Sequence, residues 1–287
     1  MSLIQVYSVQ EQKALLKTLK MGTREWCTQE INICRGCLND CVYCYARNMA
    51  YRMKRIPEFS VWNEMTVNSI DEMKIPLLQV KKGIWDFMFQ STSDIFNENI
   101  EPALRILKQI LLKHQTVLIT TKPRLNIIQR LCAELHEYKD LIAFRFTIGS
   151  IDSQWIKVWE RNASSFEERL SAMEFAYTHD FRTTVSAEPL LDADPSLLIA
   201  KLQPFLSPLD RTLDLGTIWL GLMKTKYIPK KNIVQYGLTK AIQQIKAQQT
   251  FPKVFQWYSR YFDVPFIRMK ESVKKLMIKN NIKVKVD

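Results

Sequence analysis

Short apolar runs alternate with longer amphipathic ones along most of the chain. Runs at 30–35, 84–90, 116–121, 143–148, 183–188 and 217–222 are brief and rich in β-branched or aromatic residues, which predicts six strands. The stretches between them carry helical periodicity. Ile100, Leu104, Leu107 and Leu111 recur at three- and four-residue steps, with Pro102 tolerable in a first turn. Leu125, Ile128, Cys132 and Leu135 form one stripe over 125–135. Ser165 followed by Glu168 reads as a capping box that opens a helix with Leu170, Met173 and Tyr177 on one face. The strand starts lie 27 to 54 residues apart, a spacing that suits βα units. Repeated βα units imply an α/β fold with a parallel sheet. Periodicity accommodates a partial barrel or a doubly wound sheet equally. Residues 1–28 read as a helical extension, 29–222 as the βα array, and 223–287 as a basic, aromatic-rich extension with helices near 231–248 and 267–280.

Composition narrows the class. The 287 residues are 47% hydrophobic and 24% charged, as in an ordinary globular protein, and 7 Gly with 11 Pro exclude a fibrous or linker-like chain. No apolar stretch is long enough to span a membrane. The first twenty residues lack the apolar core of a secretory signal, so a cytoplasmic protein is expected. Net charge is +12, from 41 Lys and Arg against 29 Asp and Glu. Such a surplus favours polyanionic partners, nucleic acid first among them. The three histidines, His114, His136 and His179, sit near predicted helix ends, and no zinc-protease, zinc-deaminase or phosphate-loop motif occurs.

The cysteines are the sharpest feature. Four of six stand in NICRGCLNDCVYCYAR at 32–47, spaced C-x2-C-x3-C-x2-C as Cys34, Cys37, Cys41 and Cys44. Clustering of this kind points to a metal site rather than to disulfides. Thiolates suit zinc or iron–sulfur clusters. A structural zinc site usually pairs two C-x2-C knuckles a dozen or more residues apart, and here the gap is three. An electron-transfer ferredoxin carries C-x2-C-x2-C-x3-C-P, a different order. The third reading takes Cys37, Cys41 and Cys44 alone. Three thiolates on a four-iron cluster leave one iron open for a substrate. The motif follows the first predicted strand, where a βα loop would place it at the carboxyl edge of the sheet.

The C-x3-C-x-Tyr-C pattern within a βα array resembles the radical S-adenosylmethionine (SAM) superfamily. The longer string after TREW, with STSDIF at 91–96, TTKPRL at 120–125 and ERNASSFEERLSAM at 160–173, is similar to the branch of spore photoproduct lyase and related "DNA repair photolyase" proteins. The resemblance implies a partial (β/α)6 TIM-like barrel with helical N- and C-terminal extensions. It implies a [4Fe-4S] cluster and SAM as cofactors. A flavodoxin- or ferredoxin-type protein would be the external one-electron donor. The activity would be cleavage of SAM to a 5′-deoxyadenosyl radical that abstracts hydrogen from a substrate.

Residue by residue, the resemblance makes Cys37, Cys41 and Cys44 the cluster ligands and leaves Cys34 a non-ligand, a small buried residue ending the first strand. Tyr43 matches the aromatic near the adenine, and Tyr45 a second tyrosine of the lyase branch. Ser91, Thr92, Ser93 and Asp94 stand where many members hold the SAM amino group with a Gly-Gly-Glu-like stretch. Lys122 matches a lysine that contacts the SAM carboxylate, and Thr147 a polar SAM contact. Glu188, before Pro189, is expected at the pocket mouth, with Arg161 a further candidate. One departure stands out. Spore photoproduct lyases carry a hydrogen-donating cysteine near the second strand, and FMFQSTSDIF at 87–96 has none, so thymine-dimer repair is not implied. The aromatic run at 251–262 and the lysines of 265–287 suit either nucleic-acid stacking or a helix packed by Val273, Leu276 and Met277. The competing function is a nucleic-acid-binding protein stabilised by zinc or a cluster, without radical catalysis. Under that reading all four clustered cysteines would hold the metal.

Overall fold

The computed structural model describes residues 3–19, 22–68, 75–78 and 84–285. In chain order the elements are α1 (Val9–Thr18), β1 (Cys27–Ile31), β2 (Cys34–Arg35), α2 (Tyr45–Arg52), β3 (Thr66–Val67), β4 (Trp85–Phe89) and α3 (Ile100–Leu111). They continue through β5 (Val117–Thr121), α4 (Leu125–Leu135), β6 (Ile142–Thr147), α5 (Ser153–Trp159), α6 (Phe166–Thr178), β7 (Arg182–Ala187) and α7 (Ser196–Leu202). The last third adds β8 (Ile218–Leu220), α8 (Lys230–Gln235), α9 (Thr239–Gln248), α10 (Phe251–Tyr261), β9 (Ile267–Met269) and α11 (Glu271–Lys279).

Seven strands form one all-parallel sheet in the order β1-β4-β5-β6-β7-β8-β9, and β2 pairs with β3 in a small antiparallel ribbon. The central strands are buried on both faces, which explains why they read as continuous apolar runs rather than alternating ones. Side chains still divide by parity. Phe144 and Phe146 of β6 join the helix-facing core, whereas Ala143 joins an inner cluster with Trp26, Cys27, Trp85, Met88, Leu118, Leu215 and Trp219. Fully buried Arg145 stacks on Trp26 at 4.4 Å and pairs with Asp214 at 2.9 Å, a polar plug within that cluster. Trp26, just before β1, meets Trp219 of β8 at 5.6 Å. Lys270, just after β9, reaches Glu25, just before β1, at 2.9 Å. The sheet therefore curves until its two edges face one another. Among the described residues no ladder joins β1 to β9. The architecture is in line with a TIM-like radical SAM fold.

Two expectations change. The sheet has seven strands where six were predicted. The seventh is Ile267–Met269, within a segment read as helix over 267–280; the helix begins only at Glu271. A three-residue edge strand leading straight into a helical stripe has too few positions to show its own period. The first strand also lies earlier than 30–35. Asn32 leaves the ladder because its side chain binds Ser91 and Thr92, and Cys34 belongs to the separate ribbon strand β2. Residues 1, 2, 20 and 21 of the N-terminal extension lie outside the described residues. Its helix α1 follows a complete capping box of Ser8 and Glu11. In the C-terminal segment Trp257, Tyr258, Val273 and Met277 are buried, and Leu276 is half-buried. The aromatics are thus core rather than a stacking surface. Among the described residues no helix is long and apolar enough to cross a membrane.

Candidate active site

The cysteine loop follows β1 and is held by backbone geometry. Gly36 has φ +91°, and a Cβ there would lie 2.6 Å from the Trp62 carbonyl oxygen, so the position demands glycine. That same carbonyl accepts the Cys37 N–H at 2.9 Å. Asp40 adopts φ +47°, and its carboxylate pairs at 2.7 Å with the buried Arg47 guanidinium, which also donates to the Cys41 carbonyl at 2.7 Å. The Val42 N–H donates to Trp159 O at 2.8 Å, fixing the loop to the end of α5. Cys44 caps α2, its sulfur accepting the Arg47 N–H at 3.4 Å.

Cys37, Cys41 and Cys44 line one cavity of about 590 Å³ at the carboxyl ends of the strands. Tyr43, Tyr45, Ser91, Thr92, Ser93, Asp94, Lys122, Thr147 and Glu188 line it as well, so the structure brings these sequence-predicted residues to one place. Cys34 does not line it. Its sulfur accepts from Asn99 Nδ2 at 3.2 Å and Gln90 Nε2 at 3.8 Å, facing a neighbouring cavity of about 340 Å³. Arg161 is also elsewhere, 3.6 Å from Asp40 and 4.1 Å over the Tyr236 ring. Cys27 belongs to the inner cluster and Cys132 to the helix-facing core, and the three histidines are exposed.

The polar groups around the cavity differ in how far they are already satisfied. Asp94 accepts four hydrogen bonds, from Thr121 Oγ1 (2.5 Å), Asn39 Nδ2 (2.8 Å), Lys122 N (2.8 Å) and Ile95 N (2.9 Å). Its carboxylate therefore ties the loop after β4 to β5 and to the cysteine loop. Burial still outweighs those bonds and raises its pKa. The Thr92 hydroxyl donates to Asn32 Oδ1 at 2.9 Å, which leaves its lone pairs to accept from a ligand. Ser91 is bonded to Asn32 and Glu30, and its carbonyl accepts the Tyr45 hydroxyl at 3.0 Å.

Sequence reasoning missed the hub of the site, Glu160. This fully buried carboxylate accepts from the Tyr43 hydroxyl and from Arg169, and its Oε1 lies 4.0 Å from Lys122 Nζ. Burial works against its ionisation, but Arg169, Lys122 and the Tyr43 hydroxyl overcome that cost and hold its pKa below the ordinary carboxylate range. Lys122 is likewise kept charged against burial, by Cys41 and Glu160. Its ammonium lies 5.8 Å from the Tyr43 ring centroid. The only sequence signal for Glu160 was its place at the head of ERNASSFEERLSAM. Trp26, Gln90, Tyr227 and Lys270 were also missed as lining residues.

The donor set fits a cluster and SAM. Three soft thiols share the cavity, whose volume lies within the usual range of small-molecule sites. Burial pushes the Cys41 thiol up to about 12 and the Cys37 thiol well above its ordinary value, so these sulfurs would release protons to metal rather than to water. Among the described residues no three His, Cys, Asp or Glu side chains converge on a single-ion position.

A parallel α/β sheet with a thiol-lined cavity at its carboxyl edge defines the class of protein. The family model of the radical SAM superfamily matches residues 31–191, more than half of the chain, and the chain belongs to that superfamily. Enzymes of the superfamily use a [4Fe-4S] cluster and SAM, and typically need an external electron donor. A search of curated proteins gives no match.

Proposed function

We propose that the protein is a radical SAM enzyme in which Cys37, Cys41 and Cys44 hold the [4Fe-4S] cluster, leaving one iron for SAM. The observation that carries this reading is the shared cavity: three of the four clustered thiols line it and Cys34 does not. When bound, the reduced cluster supplies the electron that splits SAM into methionine and a 5′-deoxyadenosyl radical. The chain's own residues bind and orient. Lys122, held charged by Glu160, offers a cation to the SAM carboxylate. The hydroxyls of Thr92 and Ser93 accept from its ammonium. Tyr43 and Tyr45 flank the adenosine, the first fixed by Glu160 and the second by the Ser91 carbonyl. Thr147 and Glu188 complete the wall toward the substrate. Asp94 shapes the site through its four bonds.

The product is a radical that abstracts hydrogen, and the surplus of Lys and Arg supports a polyanionic substrate such as nucleic acid. Within the superfamily we assign the spore photoproduct lyase-like branch from NICRGCLNDCVYCYAR and the lysine of TTKP. A lyase reaction and a cytoplasmic setting go with that branch. The competing zinc protein needs Cys34 beside the other three, and Asn99 and Gln90 hold it in the neighbouring cavity.

The test is anaerobic reconstitution with iron and sulfide, then chromatography for 5′-deoxyadenosine after reduction with SAM present. The proposal expects 5′-deoxyadenosine from the wild type and from Cys34→Ser, and none from Cys41→Ala. Stoichiometric zinc that is lost in Cys34→Ser as in Cys41→Ala would overturn it.

A further inference from the structure

Helix α2 carries a surface that runs outward from the mouth of the SAM cavity. It is capped by Cys44 and is eight residues long, so its whole outer face lies within about 12 Å of that cysteine along the helix axis. Met49, Tyr51 and Met53 are exposed there, Met53 at 57%. The segment 225–235 lies against it: Asn48 Nδ2 donates to the Tyr227 carbonyl at 2.7 Å. Lys231 Nζ sits 5.5 Å from both the Tyr51 and the Phe59 rings. One turn along α8, Val234 is 81% exposed. The two segments that form this strip also carry Arg52, Lys54, Arg55, Lys226, Lys230 and Lys231, all exposed. Among the described residues none of the six is paired with a carboxylate. Glu58 and Glu64 are the only acids in 45–64, and 224–240 contains none.

An exposed apolar strip rich in methionine and tyrosine, rimmed by cations of one sign, has the make-up of a protein-docking patch. Its unpaired charge selects an acidic partner and steers its approach. Its place beside Cys44 puts that partner next to the cluster-binding loop. Tyr45, Met49 and Tyr227 are shared with the cavity mouth. Small, weak interfaces are typical of electron-transfer encounters.

We infer that the α2–α8 face is the docking surface for an acidic one-electron carrier of the flavodoxin or ferredoxin class. In the docked pair one electron leaves the reduced carrier, which is oxidised by one unit, and enters the cluster, which is reduced by one unit; no bond forms or breaks. The inference rests on the proposed cluster at Cys37, Cys41 and Cys44.

The experiment compares wild type, the Arg52→Glu/Lys54→Glu/Lys231→Glu protein, the milder Lys54→Gln/Lys230→Gln protein, and a control with Lys246→Glu, Lys253→Glu and Lys279→Glu on another face. Two quantities are read on reconstituted protein: the dissociation constant for a flavodoxin at low and high salt, and the rate at which cluster absorbance bleaches with flavodoxin or with dithionite. The expected result is docking at least tenfold weaker and flavodoxin-driven bleaching correspondingly slower in the α2–α8 reversal. A smaller loss is expected in the neutralised protein, and none in the control. Dithionite rates stay equal in all four, and wild-type docking weakens with salt. Unchanged docking in the reversal overturns the inference. Equal slowing with dithionite also overturns it, because the residues would then be supporting the cluster itself. Loss of oligonucleotide binding with flavodoxin docking intact would give the face to nucleic acid instead, again against the inference. Wild type that shows no cluster absorbance to bleach marks failure of the functional reading, whereas the dissociation constant reads the surface alone, so the two failures are distinguishable.

Discussion

The two rims of the cavity are built differently. The near rim, formed by the loops after β1, β4 and β5 and backed by the turn after α5, is crowded with polar groups already spoken for: Asp94 with four donors, Glu160 between Arg169, Tyr43 and Lys122, and Asp40 against Arg47. The far rim, formed after β7, β8 and β9, carries Glu188, Leu222, Lys224 and Tyr227. Its charges are paired, and two of them still reach water: Glu188 keeps 28% exposure and Lys224 keeps 40%, while Lys270 is buried between Glu25 and Glu188. A site that must place a cofactor's atoms needs the first kind of wall, since buried and satisfied networks hold side chains in one arrangement. A wall that meets a second molecule can remain more open. On the proposed function the near rim is the cofactor half and the far rim the substrate half.

The largest expected effect lies in the near rim. Cys41→Ala removes a cluster ligand, and iron content and SAM cleavage should both be abolished, as read by elemental analysis and chromatography. Next comes Glu160→Ala. It strands the buried Arg169 and leaves the half-buried Lys122 without its carboxylate, and breaking a buried pair in this way costs about 3–5 kcal/mol, measurable by urea unfolding. A loss below about 1 kcal/mol would mean the near rim is not the rigid half.

The same carboxylate gives a pH signature. Its pKa is depressed in the folded protein, so its contribution is present above the unfolded value near 4.3 and is lost as pH falls through the lower folded value. Wild type should therefore lose more stability than Glu160→Gln between about pH 5 and pH 3. Gly36→Ala comes third. A side chain at φ +91° against the Trp62 carbonyl should cost about 1–3 kcal/mol and lower cluster incorporation. The smallest effect belongs to the far rim. Glu188→Gln should shift stability by about 1 kcal/mol or less and leave iron content intact, as a melting curve and an iron assay would show. Loss of iron in that variant would erase the difference between the rims.

What could be read from the sequence divides along physical lines. Five strands of the parallel sheet, β4 to β8, were legible because burial on both faces writes a run of apolar residues into a short stretch, whereas β1, half exposed as Cys27–Ile31, was expected later, at 30–35. β9 was not, because Ile267–Met269 is an edge strand of three residues whose pattern merges with the stripe of α11. The cysteines were legible because metal ligation constrains spacing along the chain. Glu160 was not, because its role rests on Tyr43, 117 residues away, and no local pattern marks a lone carboxylate that the fold buries between cations. Trp26 and Lys270 escaped for the same reason. They meet at 4.1 Å only because the sheet curves until its edges face each other. The C-terminal aromatic run suited either base stacking or core packing on sequence alone, and the structure packs it into the core.

The central claim is that three thiols hold a four-iron cluster with one iron open to SAM. It is tested most directly by the electron paramagnetic resonance spectrum of anaerobically reconstituted, dithionite-reduced protein, recorded with and without SAM. The account predicts a reduced four-iron signal that shifts when SAM is added and is unchanged in Cys34→Ser. A cluster signal indifferent to SAM, or zinc in place of iron after reconstitution, would contradict it.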